Sequence, residues 1–214
     1  ADAKTIAHLT KYDSTHGTLN QKVYQDDGVL HIDEQSIQLF HQVRVNALPW
    51  KALNIDLVLE CSGAFSSRKA AQAHIDAGAK KVLFSQPADA DVDATVVWGI
   101  NQQSLLAGHT IASAASCTTN AIVPTIHALD EALGIQSGVI TTIHSAMNDQ
   151  PVIDSYHSDL RRTRAAGQSI IPVDTGLARG VERVMPAMKG LFSAQALRVP
   201  TLNVSVMDLT IQAA

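Results

Sequence analysis

Three short segments in the first half of the chain restrict its fold more than any other feature. Ile55-Asp56-Leu57-Val58-Leu59-Glu60-Cys61 is an apolar run ending at Ser62-Gly63, Arg68–Ala77 carries a helical pattern stopped by Gly78, and Lys81-Val82-Leu83-Phe84 is apolar again. A short apolar run closed by a turn reads as a buried strand, and a glycine after the last periodic residue reads as a helix end. Strand, helix and strand in this order predict a parallel α/β sheet. Thr95-Val96-Val97-Trp98 adds a third strand, with Gln102–Leu106 helical beyond it. Upstream, Gln21–Tyr24 and Leu30–Ile32 flank Asp26-Asp27-Gly28, the pattern of a small hairpin.

The second half reads differently. Ile122, Val123, Ile126, Leu129 and Leu133 fall at helical spacings and Gly134 follows, which predicts a helix over Thr118–Leu133. A β-branched run, Val139–His144, comes next, and then a long polar stretch to Ser169. A loop of that length inside a compact domain either serves function or hides an element, and a functional loop is the expectation. Repeats, low-complexity tracts and linker-like stretches are absent, so any division must come from element order. That order places it between residues 115 and 116.

A net charge of −4 excludes a broad electrostatic footprint for nucleic acid or an anionic membrane surface. No apolar run approaches the roughly 18 residues of a membrane-spanning helix, and no charged-then-apolar leader opens the chain, so a cytoplasmic setting is expected. The two cysteines, Cys61 and Cys117, do not make a disulfide framework, and neither they nor the histidines have metal-ligand spacing; no metal is assigned.

The chemistry concentrates at Ser116-Cys117-Thr118-Thr119-Asn120. Cys117 stands at a helix start, where unpaired backbone N–H groups and the helix dipole favour a thiolate. Hydroxyls of Ser116, Thr118 and Thr119 can cap that end or donate to an anion. His144 closes the β-branched run, and a helix, a turn and a returning strand can bring its imidazole back to the thiol. A cysteine and a histidine in reach of each other form an activated nucleophile. On the residues alone, a helix-start cysteine is more often a small buried hydrophobe, and a strand-end histidine more often structural. The same structural reading is expected of Cys61, which ends an apolar strand with no base nearby.

Ala115-Ser116-Cys117-Thr118-Thr119-Asn120 resembles the active-site motif of the glyceraldehyde-3-phosphate dehydrogenase family. The resemblance runs through most of the chain, from Lys11-Tyr12-Asp13-Ser14-Thr15-His16-Gly17 and Ala77-Gly78-Ala79-Lys80-Lys81-Val82 to Arg198-Val199-Pro200-Thr201 and Asn203-Val204-Ser205-Val206. It implies an α/β chain: an incomplete Rossmann-type NAD domain over 1–115, then an α+β catalytic domain with a mixed sheet over 116–214. It further implies that Cys117 attacks an aldehyde carbonyl, that His144 takes the thiol proton, and that NAD accepts the hydride, leaving a thioester. Phosphate contacts are implied for Arg162, Arg198, Thr118, Thr175 and Gly176, with Ser116 beside them. Asp149 is expected to hold a substrate hydroxyl or one of the arginines, whereas Arg179, Arg183 and Lys189 read as surface charge around the apolar stripe Leu177, Val181, Val184 and Met188.

For the cofactor, a doubly wound fold should open with a Gly-x-Gly-x-x-Gly turn, and the sequence holds none. An N-terminal βαβ portion and the family's last segment are therefore expected to be missing, and the chain alone is expected to be inactive. Ser62 and Gly63, after one strand, and Ser85, after the next, sit at strand carboxyl ends, where such folds bind ligands; they are the expected NAD contacts. The family resemblance also implies a homotetramer.

Two segments point to a branch. Ser145-Ala146-Met147-Asn148-Asp149-Gln150 and Pro172-Val173-Asp174-Thr175 resemble erythrose-4-phosphate dehydrogenases. Glyceraldehyde-3-phosphate dehydrogenases typically carry a threonine at the position of Met147, whose hydroxyl contacts phosphate; methionine has no donor. Oxidation of D-erythrose 4-phosphate with release of the acid by water is the expectation. Phosphorylating oxidation of the three-carbon aldehyde is the alternative, and a non-catalytic module on the same scaffold is a further one. A cysteine hydrolase is disfavoured, because no partner that would orient His144 is recognisable.

Overall fold

The computed structural model describes residues 2–214. Asp2 caps helix α1 (Ala3–Lys11) by accepting a hydrogen bond from the Thr5 N–H at 2.7 Å. This helix has no forerunner in the sequence reading. Two-residue strands β1 (Tyr12–Asp13) and β2 (Gly17–Thr18) follow, then the expected hairpin as β3 (Val23–Asp26) and β4 (Val29–Ile32). A third strand, β5 (Gln35–Gln38), completes this antiparallel sheet.

The parallel sheet forms as predicted, with one strand that the sequence concealed. It comprises β6 (Leu57–Glu60), β7 (Lys81–Phe84), β8 (Ala94–Thr95) and β9 (Ile111–Ser113), in the order β6-β7-β9-β8 and all parallel. Between β6 and β7 runs α2 (Arg68–Asp76), capped by Ser67. β9 is only three residues of small and β-branched type, too short to show a period, yet it lies inside the sheet between β7 and β8. The strand expected over Thr95–Trp98 ends at Thr95. The Val97 N–H turns instead to the Asn101 Oδ1 at 2.8 Å, Val97 packs into the second core, and Trp98 is exposed.

Two further expectations are corrected at β6. The apolar run predicts a buried strand, but only one of its faces is covered: Leu57 and Leu59 are exposed, and Val58 and Glu60 are the inward residues. Cys61, expected to be a small buried hydrophobe, is exposed beyond the strand end. The buried Glu60 is accommodated by His74, itself buried, whose Nε2 lies 3.3 Å from Glu60 Oε2, while the Trp50 Nε1–H donates to His74 Nδ1 at 3.0 Å. Burial raises the Glu60 carboxyl, but hydrogen bonds from Ser62 and His74 outweigh it and hold the group below its ordinary range.

Helix α3 (Cys117–Leu133) ends at Gly134 and leads into β10 (Ile135–His144). Next come β11 (Ile171–Val173), α4 (Leu177–Val184), β12 (Phe192–Arg198) and β13 (Val206–Ala213). The four strands make a mixed sheet ordered β11-β12-β10-β13, in which β10 runs parallel to β12 and antiparallel to β13. Its core joins Ile122, Val123 and Ile126 of α3 to Ile140 and Phe192 of the sheet and to Leu177, Val181 and Val184 of α4. The expected α4 stripe is thus correct, whereas Arg183 is not simply surface charge. Its Nη1 donates to the Ala88 carbonyl at 2.6 Å and ties α4 to the segment after β7.

Asp93 fastens the start of β9. Burial pushes its carboxyl up, but the N–H groups of Ile111 and Thr110, at 2.9 and 2.8 Å, and the Arg68 guanidinium outweigh this and lower it to about 2. Because the folded value lies below the ordinary 3.8, the contribution is complete above about pH 4 and fades as pH falls toward 2. Acid titration of unfolding stability should show Asp93→Asn converging with the native chain toward pH 2; a constant gap over that window would refute the assignment. Among the described residues no helix is long and apolar enough to cross a membrane, and no group of three or more His, Cys, Asp or Glu could hold a metal.

Candidate active site

The chain leaves β9 through Ala115, whose φ of 61° is left-handed, an uncommon conformation for a residue with a Cβ and one that concentrates at functional turns. Several groups hold that turn. Ser113 Oγ donates to the Gln86 carbonyl at 2.7 Å and accepts from the Ala115 N–H at 3.1 Å. Asn120 Nδ2 donates to the carbonyls of Ala114 and Ser116, at 2.7 and 2.9 Å. Ser116 caps α3, its Oγ accepting the Thr119 N–H at 2.9 Å. Cys117 is therefore the first helical residue, with its thiol exposed at the positive end of a helix of 17 residues.

His144 ends β10, and its Nε2 lies 3.7 Å from Cys117 Sγ. The helix and returning strand predicted from spacing do bring the two together. Register explains the third member of the group. In the parallel pairing of β10 with β12, His144 stands opposite Arg198, whose Nη1 reaches His144 Nδ1 at 2.8 Å. The same Nδ1 lies 2.8 Å from the Ser145 carbonyl oxygen. Burial lowers the Arg198 guanidinium from its ordinary value, a shift opposed by Asp149 and reinforced by Arg162.

A cavity of about 360 Å³ opens over this group. Ser85, Ser116, Cys117, Thr118, His144, Thr175 and Arg198 line it, so most of the residues singled out from the sequence converge. Met147 also lines it, as do Val173, Thr142 and Ala196, which are cross-strand neighbours in the sheet. Thr142, two residues before His144, is fully buried, and its Oγ1 has no hydrogen-bond partner; only the position of Thr142 within a β-branched run could have singled it out. Gly176 lines an adjoining chamber of about 140 Å³, shared with Ser116, Thr118 and Thr175.

Asp149 and Arg162 do not line the cavity. Arg162 Nη1 donates to Asp149 Oδ2 at 2.6 Å, and Arg198 Nη2 lies 3.9 Å from the same oxygen, so Asp149 holds arginines. Arg161 is engaged by Asp159 and Asp174 at 3.0 and 3.1 Å, which raise its guanidinium further above its ordinary range. A larger recess, about 680 Å³, lies farther along α3 beside His127, Asp130 and Glu131, and neither cysteine lines it.

Two family profiles match the chain: "Glyceraldehyde 3-phosphate dehydrogenase, NAD binding domain" over residues 1–68 and "Glyceraldehyde 3-phosphate dehydrogenase, C-terminal domain" over residues 116–214. Together they take in more than three quarters of its length. The chain belongs to the glyceraldehyde-3-phosphate dehydrogenase family. Its domains are those of an NAD-dependent oxidoreductase, and NAD is its cofactor. The exposed ends of the parallel strands fit such a ligand. Ser62 and Gly63 form an open turn after β6, with Gly63 at φ 72° and nothing within 4 Å of the place a Cβ would take. Glu60 Oε1 pins this turn by accepting the Ser62 N–H at 2.8 Å, and the Ala64 N–H donates to Ser62 Oγ at 3.2 Å. Ser85, after the neighbouring strand, lines the Cys117 cavity. Ser62 and Gly63 themselves are outside that cavity.

Proposed function

We propose that this family member oxidises D-erythrose 4-phosphate to 4-phosphoerythronate, with Cys117 as nucleophile and His144 as base, as a step of pyridoxal phosphate synthesis. The observation that carries the choice of aldehyde is Met147 on the wall of the Cys117–His144 cavity, a side chain with no hydrogen-bond donor where a phosphate-binding hydroxyl stands in the three-carbon enzymes. A site with one phosphate subsite weakened suits one phosphorylated aldehyde and water better than an aldehyde and inorganic phosphate together.

His144 Nε2 takes the Cys117 thiol proton as sulfur bonds to the carbonyl carbon, and the carbonyl electron pair moves to oxygen, giving a thiohemiacetal. The chemistry NAD supplies when bound is acceptance of a hydride from that carbon, which leaves a thioester on Cys117. Water then adds to the thioester carbonyl and the thiolate departs, releasing the acid. Arg198, Thr118, Thr175 and Gly176 hold the substrate phosphate together with Ser116, and Asp149, itself engaged by Arg162, braces Arg198 from behind. Ser62, Gly63 and Ser85 serve NAD. The division we propose is a cofactor-binding portion over 1–115 and a catalytic portion over 116–214, in a cytoplasmic homotetramer. Exposed Val152, Ile153, Tyr156 and Leu160 on the long loop would lie between copies.

A second reading, phosphorylating oxidation of glyceraldehyde 3-phosphate, draws support from the chamber beside Ser116, Thr175 and Gly176, which could receive a second anion. The two are separated by NAD reduction on each aldehyde with and without inorganic phosphate. The four-carbon substrate should be preferred by about tenfold or more, without a phosphate requirement. Strict phosphate dependence with the three-carbon aldehyde would reverse the assignment. Protection of Cys117 from alkylation by each aldehyde gives the same comparison without cofactor.

A further inference from the structure

One hydroxyl on the wall of the Cys117–His144 cavity is left unsatisfied. Thr142 is only 1% exposed, its Oγ1 has no hydrogen-bond partner, and it lines the same space of about 360 Å³ as the thiol and the imidazole. Burying a hydroxyl without a partner is costly, and nearly all such groups in folded proteins are satisfied by protein or by ordered water. The neighbours of Thr142 across the sheet cannot serve. Ala196 and Met207 stand opposite it in β12 and β13, with Val173 beyond Ala196 in β11, and none of these side chains carries an N–H or O–H. Valine would fill the same shape with no polar atom left over, so the hydroxyl marks this wall as a place for a small polar ligand.

Strand geometry sets the size of that ligand. Thr142 and His144 are two residues apart in β10 and face the same side of the sheet, with their Cα atoms roughly 6–7 Å apart. The gap is long for a direct hydrogen bond and suits one water, which at about 2.8 Å from each partner spans about 5.5 Å. A hydroxyl with one donor and two acceptor sites can hold a water in either orientation. Ala196, on the same wall, takes up little of the space beside it.

We propose that Thr142 positions the water that discharges the acyl group from Cys117. This rests on the hydrolytic reading given above. Thr142 Oγ1 holds the water, and His144, having passed its first proton to solvent, accepts a proton from it as the water oxygen bonds to the thioester carbonyl carbon. The carbonyl electron pair moves to oxygen and returns as the carbon–sulfur bond breaks, and the electrons of that bond leave with sulfur. Water thus supplies the hydroxyl of the acid, and the proton on His144 restores the thiol. Attack by the thiol needs only Cys117 and its base, so the Thr142 hydroxyl should govern deacylation and leave acylation alone.

The test uses the chain carrying Cys61→Ser, in which Cys117 is the one remaining thiol, with p-nitrophenyl acetate as the probe and no aldehyde or NAD. The initial burst of nitrophenolate reads acylation, the steady rate reads discharge by water, and mass spectrometry of the Cys117 peptide reads the acetyl group directly. Thr142→Val should leave the burst rate unchanged and slow discharge by about tenfold or more, the scale expected when a reacting water loses its place. Thr142→Ser, which keeps the hydroxyl, should restore discharge. Hydroxylamine, a nucleophile that brings its own reactivity, should clear the acetyl group from both chains equally. Equal discharge by water in the native and valine chains would overturn the proposal, as would a valine chain slowed equally in acylation, in discharge and toward hydroxylamine, which would make Thr142 a support for the shape of the site. An acetyl group that water leaves intact in the native chain would overturn the hydrolytic reading as well, so the two failures are distinguishable.

Discussion

Replacing His144 with asparagine should slow alkylation of Cys117 at neutral pH by about 10²-fold, the usual scale for removing a positioned base. Cys61 serves as the internal control, being exposed, like Cys117, and lying outside the cavity that His144 lines. In the native chain the thiol at the helix start, 3.7 Å from the imidazole, should react at least about tenfold faster than Cys61. The two rates are read from the same sample by mass spectrometry of the labelled peptides. Equal rates in the native chain would favour a scaffold that keeps the fold and lacks the chemistry. A fast Cys117 that His144→Asn leaves unchanged would assign the activation to the helix end alone.

Gly78→Ala is expected to cost about 3 kcal/mol or more, enough to unfold much of a marginal domain. Gly78 follows α2 at φ 110°, a region that side-chain-bearing residues rarely enter. A Cβ there would lie 2.4 Å from the Lys51 Cβ and 2.6 Å from both the Lys51 Cα and backbone nitrogen, so relief would require moving main chain. Lys51 is the neighbour of Trp50, and its N–H donates to the Ala77 carbonyl at 3.0 Å, which leaves little slack. Urea unfolding should place the variant well below the native chain. A difference under about 1 kcal/mol would mean that this segment yields more readily than its packing suggests.

The parts of the fold legible in sequence were those with a long enough period or a clear stop. The Cys117–Leu133 helix, its Gly134 end, the α2 segment before Gly78 and the β3–β4 hairpin each carry such a signal. Strand β9 does not, since three small residues beside an active-site motif show neither alternation nor a turn of their own. Glu60 misled for a different reason: its carboxylate is inside because His74, 14 residues later, and Ser62 receive it, and pairing at that distance leaves no local trace. Trp98 shows the same limit, because an apolar letter does not say whether anything will cover it.

In the site, the cysteine and histidine could be paired from a helix followed by a returning strand, and the motif resemblance named the residues around them. Arg198 beside His144 was not legible as a partner, because their meeting is decided by a parallel register between strands far apart in the chain. The holding roles of Asn120 and Ser113 were likewise out of reach, since they depend on the left-handed turn at Ala115.

That register also governs how the site fails. His144 and Arg198 belong to adjacent strands near the middle of a four-stranded sheet, with β11 and β13 outside them, and the core under that sheet also holds α3 and Cys117's end of it. Loosening the 145–169 loop leaves the imidazole opposite the guanidinium, whereas slipping β10 by one residue turns every side chain on it to the other face. The thiol, its base and its arginine are therefore lost together in one cooperative event, so heat should leave a population divided between competent molecules and unfolded ones, with few that are folded but impaired.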